Sequence, residues 1–216
     1  MQIFDILGPV MIGPSSSHTA GVVRIGNVAR RILGHTPSHA LIQFHGSLAK
    51  TYRGHGSDKA IIAGLMGFPP DDVRIRDSLE LAKEAGFSYE IETITLDDAH
   101  PNTIVLDLSG LTIQASSVGG GAILIQKINE IEVLFDGYYD TLVVIHQDMP
   151  GAAALVTNLL AVEKINIAGM KVYRSKKGGR AIMVIEVDGQ LDKNLGPVIE
   201  SLPRIEQVTI LEGMSS

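Results

Sequence analysis

Short runs in which apolar and polar positions alternate, rich in β-branched residues, predict strands over 39–46, 88–96, 104–108, 111–116, 122–127 and 131–135. Helical spacing fills the gaps. Val22, Val23, Val28, Ala29 and Ile32 predict a helix ending near Gly34. Ile61, Ile62 and Leu65 predict a second, capped by Ser57 or Asp58 and ended by Gly67 and the Pro69-Pro70 pair. Residues 78–85 read as a third, closed by Gly86. In front of the first helix, GPSSSHT at 13–19 reads as a loop with several potential N-caps.

A turn-forming Asp-Gly pair in Asp136-Gly137-Tyr138-Tyr139-Asp140 marks a hinge. Beyond it the pattern is compact. A strand at 141–146 precedes a helix at 151–164, with Leu155, Leu159 and Val162 on one face. Strands at 167–174 and 180–187 join through a hairpin loop at 175–179, whose tip carries Lys176 and Lys177. A helix at 192–202 turns Leu195, Val198, Ile199 and Leu202 inward, and a strand at 206–211 ends the series. This is the ferredoxin-like β-α-β-β-α-β arrangement. The fold class is therefore α/β (α+β): a mixed α/β domain over 1–138 and a ferredoxin-like domain over 141–216.

Composition narrows the function classes. The 216 residues include 18 Lys+Arg and 24 Asp+Glu, a net charge of −6, which argues against a general nucleic-acid binder. An apolar share of 45% and a charged share of 19% exclude a disordered chain. There is no cysteine, so this chain offers no disulfide, thiol nucleophile, Cys-type zinc site or iron–sulfur ligand. That fits a reducing compartment, and a cytoplasmic location is expected. The opening residues lack a basic region, and Gly8, Pro9, Gly13 and Pro14 interrupt their apolar run, so no signal peptide is expected. No apolar stretch approaches a membrane span.

Candidate chemistry gathers in the first part, which holds six of the seven histidines. The hydroxyls of Ser15, Ser16, Ser17 and Thr19, with the His18 imidazole, stand in front of a helix. Such a loop suits a small carboxylate or phosphate, since N–H and O–H groups donate and the helix dipole attracts an anion. It lacks the Walker lysine and the GxGxxG order, so a nucleotide is not expected. His18, His45 and His55 can position a substrate or move protons near neutral pH. His55 sits among glycines that leave room for a ligand; His45 ends a strand and equally suits a core-edge role. Their spacing has no HExxH-type order, so no metal is assigned to them. Gly119-Gly120-Gly121 allows close backbone approach to a ligand, or simply connects two strands. Lys50, Tyr52 and Arg53 read as a solvated face that could also meet an anion or a partner. His100, before Pro101, shapes a turn, and His35, His39 and His146 read as structural.

In the second part, Asp148-Met149-Pro150-Gly151 links strand to helix, and Asn166-Ile167 opens the next strand. This pattern resembles an ACT domain, a small amino-acid-sensing module. Asp148, Pro150, Gly151, Asn166 and Ile167 are its candidate regulatory amino-acid site. Pro150 and Gly151 would make a tight turn aiming N–H groups at a carboxylate. The competing reading is that these residues only shape turns and that the domain pairs with a second copy.

Five motifs then stand in order: GPSSSHT, FHGSLAKTYRGHGSDKA at 44–60, His100-Pro101-Asn102-Thr103, Ser117-Val118-Gly119-Gly120-Gly121, and the ACT-like segment. Together they resemble the beta subunits of bacterial iron–sulfur-dependent L-serine dehydratases, over essentially the whole chain. The resemblance implies a first domain like the allosteric substrate-binding domain of some phosphoglycerate dehydrogenases. It implies a lyase that eliminates water from L-serine, giving pyruvate and ammonia through aminoacrylate, without pyridoxal phosphate. It also implies a [4Fe–4S] cluster whose open iron acts as a Lewis acid. With no cysteine here, the cluster ligands are expected on a separate cysteine-bearing alpha subunit; the chain's end at 214–216, just past the ACT segment, suits that two-chain form. His18 and His55 would be catalytic, and Ser15, Ser16, Ser17, Thr19, His45, Asn102 and Gly120 would bind substrate. The expected partners are that alpha subunit, L-serine and a second copy through the ACT domain, with neither nucleic acid nor membrane. The alternative is a non-catalytic, amino-acid-sensing regulatory subunit.

Overall fold

The computed structural model describes residues 11–213. Most of the opening segment read for a leader, and the final residues 214–216, lie outside the described residues. The chain divides between Asn129 and Glu130 into two compact units.

Among the described residues of the first unit, a π turn, Ser16–Ala20, runs directly into α1, Gly21–Leu33. There follow β1 (His39–His45), α2 (Gly46–His55), α3 (Ser57–Leu65), a short 3₁₀ segment (Val73–Asp77), α4 (Ser78–Glu84) and β2 (Ser88–Ile94). Three strands complete it: β3 (Thr103–Asp107), β4 (Thr112–Gly119) and β5 (Ala122–Ile128). They lie in the order β2-β1-β3-β4-β5. β1 runs parallel to β2 and antiparallel to β3, and the β3–β4 and β4–β5 pairs are antiparallel. A parallel pair needs a long crossover, which α2, α3 and α4 supply. Alternation on β1 buries Ala40, Ile42 and Phe44. Ile104, Leu106, Ile113, Ala115, Ile123 and Ile125 extend this core across the sheet, and Val22, Ile25, Ala29 and Ile32 of α1 are buried as well.

The stretch around His55, whose glycines are expected to leave room for a ligand, is helical. Gly46 is the first residue of α2 (φ +61), and Gly56 caps its end in the left-handed conformation (φ +71). Gly56 is also the single residue between α2 and α3. Glycines that usually punctuate loops here serve as helix boundaries.

The second unit contains β6 (Ile131–Phe135), β7 (Asp140–Gln147), α5 (Ala152–Val162), β8 (Ile167–Arg174), β9 (Arg180–Val187), α6 (Leu195–Glu200) and β10 (Ile205–Leu211). Strands β7 to β10 form an antiparallel sheet in the order β10-β7-β9-β8, the ferredoxin-like topology. Leu142, Val144, Met183 and Ile185 of this sheet pack with Val156, Leu160 and Ile199 of the helices. β6 lies beside β8, where the Tyr173 hydroxyl donates to Leu134 O at 3.0 Å.

Two helix faces depart from the sequence reading. On α5 the buried positions are Ala152, Val156 and Leu160, whereas Leu155 and Val162 face outward. On α6 Leu195 and Ile199 are buried, but Val198 is exposed. Both helices carry apolar residues on more than one side, so spacing alone does not choose the face. No helix among the described residues is long and apolar enough to cross a membrane.

Candidate functional site

His18 is the centre of the candidate site. Ser15 takes extended backbone geometry before the π turn, and its Oγ accepts from His18 N at 3.2 Å. The same Oγ lies 3.2 Å from His18 Nδ1. On the other side of the ring, Ser47 Oγ lies 3.3 Å from Nε2. The His55 ring is tilted against it, with centroids 4.8 Å apart. One imidazole thus meets a hydroxyl at each nitrogen and a second imidazole beside it.

The elements explain these positions. Gly46 starts α2 under Pro101: a Cβ there would sit 2.5 Å from Pro101 O, and Ser47 N donates to that oxygen at 2.6 Å. Asn102 is clipped to β4, since Ser117 N donates to Asn102 O at 3.0 Å and Asn102 Nδ2 donates to Ser117 O at 3.3 Å. His100 Nδ1 accepts from Asn102 N, which shapes this turn. Gly21, at the start of α1, packs so closely on Ser117 Oγ that no side chain would fit.

Burial lowers the His18 pKa below the ordinary histidine value; the nearby His55 charge lowers it further, and the Asn102 side chain opposes both. The imidazole is therefore held toward its neutral, proton-accepting form. Among the described residues, five buried side-chain atoms have no hydrogen-bond partner: Thr19 Oγ1, His55 Nδ1, Asn102 Oδ1 and Ser117 Oγ in the first unit, and His146 Nε2 in the second. Each such atom costs about 1–3 kcal/mol unless an ordered water or a ligand binds it.

The remaining sequence candidates are placed as follows. Ser16 and Ser17 are half-buried in the π turn, and Thr19 points inward against Gly13. The free N–H cradle expected of this loop is partly used internally, because His18 N and Thr19 N donate to Ser15. His45 Nδ1 accepts from Leu96 N at 3.1 Å, tying the end of β1 to the segment after β2. Gly120 lies in the β4–β5 turn, where Gly119, Gly120 and Gly121 all have positive φ. His35 is exposed and His39 half-buried, and His146 is buried with Nδ1 against Gln147 O. In the second unit, Asp148 accepts from Gly178 N and Arg174 Nη1, each at 2.9 Å. These bonds, the Gly178 N–H foremost, hold its carboxyl below the usual range. Pro150 is exposed, and Gly151 enters α5 with φ +92. Asn166 donates to the Asp188 carboxylate just before Ile167 opens β8.

Sequence reasoning missed Ser47, Ser57 and Arg24. Ser57 Oγ donates to His18 O at 2.8 Å. Arg24, half-buried, donates from Nη1 to Gly121 O at 2.6 Å, and burial lowers its pKa. Both serines stand in the 44–60 motif, but a serine at a helix start reads as a cap.

The residues do not fit an iron–sulfur cluster of their own. There is no thiolate in the chain, and among the described residues no three His, Asp or Glu side chains are grouped to hold a metal ion.

Comparison with known proteins agrees with the motifs. Residues 2–127 match the family described as serine dehydratase beta chain, and residues 142–209 match the AHAS small subunit-like ACT domain. The chain is 43% identical over 212 residues to the probable L-serine dehydratase beta chain of Bacillus subtilis (strain 168), covering 96% of each. It is 37% identical over 215 residues to the L-serine dehydratase beta chain of Peptoniphilus asaccharolyticus, covering 97% of each. It is also 26% identical over 195 residues to D-3-phosphoglycerate dehydrogenase of Bacillus subtilis (strain 168), covering 88% of this chain and 37% of that protein. The segment matching the first family contains every residue arranged around His18, and the two beta-chain matches run nearly end to end: this chain belongs to the serine dehydratase beta chain family, with an ACT-like domain after it.

Proposed function

We propose that this chain works as the beta subunit of an L-serine ammonia-lyase, deaminating L-serine to pyruvate and ammonia in a complex with a cysteine-bearing alpha subunit. The single observation that carries this reading is the His18 imidazole between Ser15 and Ser47 and against His55, with unpartnered polar atoms buried in the same motifs. Two near-complete matches to proteins named L-serine dehydratase beta chain support it over a purely regulatory subunit. A [4Fe–4S] cluster belongs to the alpha subunit in this reading, since the thiolates it needs are not here.

This chain's part is binding and proton handling. His18, kept neutral, accepts a proton at Nε2 through or beside Ser47 Oγ, and Ser15 on Nδ1 fixes the ring orientation. His55 Nδ1 and Asn102 Oδ1 offer polar contacts to the bound amino acid. Ser16, Ser17 and Thr19 contact its carboxylate, with His45 and Gly120 at the margin of the site. In the elimination the α-proton leaves to a base and the β-hydroxyl leaves as water. The resulting aminoacrylate tautomerises to an imine, and hydrolysis releases ammonia and pyruvate. The domain limits 1–138 and 141–216, a cytoplasmic location, a regulatory amino acid on Asp148, Pro150, Gly151, Asn166 and Ile167, and pairing through the ACT domain complete the proposal. Exposed Leu155 on α5 suits such pairing.

The test is anaerobic co-expression with the alpha subunit and a pyruvate assay on L-serine. Wild type is expected to be active, while His18→Ala and Ser16→Ala lose turnover yet still assemble. Full activity in both variants would move the site away from this loop and favour a scaffold or sensor role.

A further inference from the structure

The two residues flanking Gly56 both converge on His18. His55, the last residue of α2, lays its ring beside the imidazole. Ser57, the first residue of α3, sends its hydroxyl to the His18 carbonyl at 2.8 Å and is fully buried. Ser57 does not serve its own helix, for α3 has no side-chain cap and Gly56 holds the N-cap position. A serine at a helix start ordinarily binds the N–H groups of the next turn; this one donates outward, to an element 39 residues earlier in the chain.

The receiving carbonyl belongs to the π turn. There Gly21 N donates five residues back, to Ser16 O, so the backbone ladder is out of step with the α-helix that follows. Inside the turn His18 N and Thr19 N bond to Ser15 and Gly21 N to Ser16, whereas the His18 carbonyl is held from outside, by Ser57. The geometry points to Ser57 as a positioning residue: its buried hydroxyl pins the His18 backbone, so that the α2–α3 corner sets both the ring's orientation and its neighbour. Gly56 makes the corner possible, since only one residue with φ +71 joins the two helices. This rests on the proposed lyase reading only for its effect on turnover; the placement of the ring is a property of the chain alone.

The experiment uses the full chain with Ser57→Ala and Ser57→Thr, and reads histidine ring signals by NMR against pH. His55 from α2 is the other titratable group that acts on His18, and Asn102 from the turn before β3 is its polar neighbour. Loosening the π turn exposes the ring and draws it from His55, so Ser57→Ala is expected to titrate His18 higher, nearer ordinary histidine. Ser57→Thr keeps the hydroxyl and is expected to follow wild type. In the complex, Ser57→Ala is expected to lower kcat by ten- to a hundredfold, on the order of a misplaced catalytic group, with KM changed less and Ser57→Thr restoring turnover. Ser57→Cys, a weaker donor of similar shape, replaces Ser57→Ala if that variant unfolds. An unchanged His18 titration in a folded variant lacking the hydroxyl overturns the proposal, whatever happens to Tm. If the wild-type complex makes no pyruvate, the lyase reading fails while the ring titration still decides the role of Ser57.

Discussion

Gly26 of α1 and Gly64 of α3 lie back to back, and neither has room for a side chain. A Cβ on Gly26 would stand 2.8 Å from Ile61 O, and one on Gly64 would run into Val23 O. The obstacles are backbone atoms, which cannot rotate away. This contact holds the helix that follows the π turn against the helix that begins with Ser57, and so sets the spacing on which the His18 site depends.

Gly64→Ala is accordingly expected to destabilise the protein. Alanine favours a helix over glycine by about 1 kcal/mol, but overpacking typically costs about 1–3 kcal/mol and occasionally more. With a backbone carbonyl as the obstacle, the clash wins. A lower urea midpoint than wild type checks this; an unchanged or higher midpoint would mean the helices can separate freely.

The α5 face gives a paired prediction. Val156 is fully buried, whereas Val162 is 75% exposed. Val156→Ala is expected to cost about 2 kcal/mol, from lost burial and the cavity left behind. Val162→Gln is expected to stay within about 0.5 kcal/mol of wild type. Thermal melts of the two variants distinguish them, and a reversed order would restore the face first read from the spacing.

Much of this fold was legible because its signals are local. Alternation with β-branched residues located the strands, and the β-α-β-β-α-β order of the second unit followed from them. The α2 helix was hidden by Gly46, Gly54 and Gly56, which read as loop until the chain's close approach to Pro101 is known. The inward face of α5 was hidden by excess: Leu155, Leu159 and Val162 and Ala152, Val156 and Leu160 both have helical spacing, and only tertiary packing chooses. In the site, His18 and Ser15 were visible as a motif. Ser47 and Ser57 were not, because their partners lie 29 and 39 residues away in sequence.

Asp140, at the start of β7, is buried with both oxygens in use. Oδ2 accepts from Leu191 N at 2.9 Å and Oδ1 from Gly213 N at 2.8 Å. Asparagine can accept at only one of these positions and presents an N–H donor to the other. Asp140→Asn should therefore cost about 1–3 kcal/mol and increase hydrogen exchange at Leu191 or Gly213. Wild-type protection at both amides would show that the carboxylate is dispensable there.

The acid side of the stability curve tests the electrostatics of His18. In the unfolded chain its imidazole titrates near the ordinary value of about 6.5. In the folded chain burial, then the His55 charge, depress that value, with Asn102 only partly opposing them. Between the two values the unfolded state binds more protons, so stability rises with pH across that window. The contribution is full above the unfolded value and is lost as pH falls through the folded one. Urea midpoints measured between about pH 5 and 8 should fall on acidification more steeply for wild type than for His18→Gln, which has no proton to gain. Carboxylate titrations occur in both proteins and cancel in the difference. His55→Gln should also flatten the wild-type slope, because it removes the second cause of the His18 depression while leaving much of the burial. Equal slopes for wild type and His18→Gln would mean the ring is free to protonate in the folded chain, and His18 could not then be held neutral as a proton acceptor.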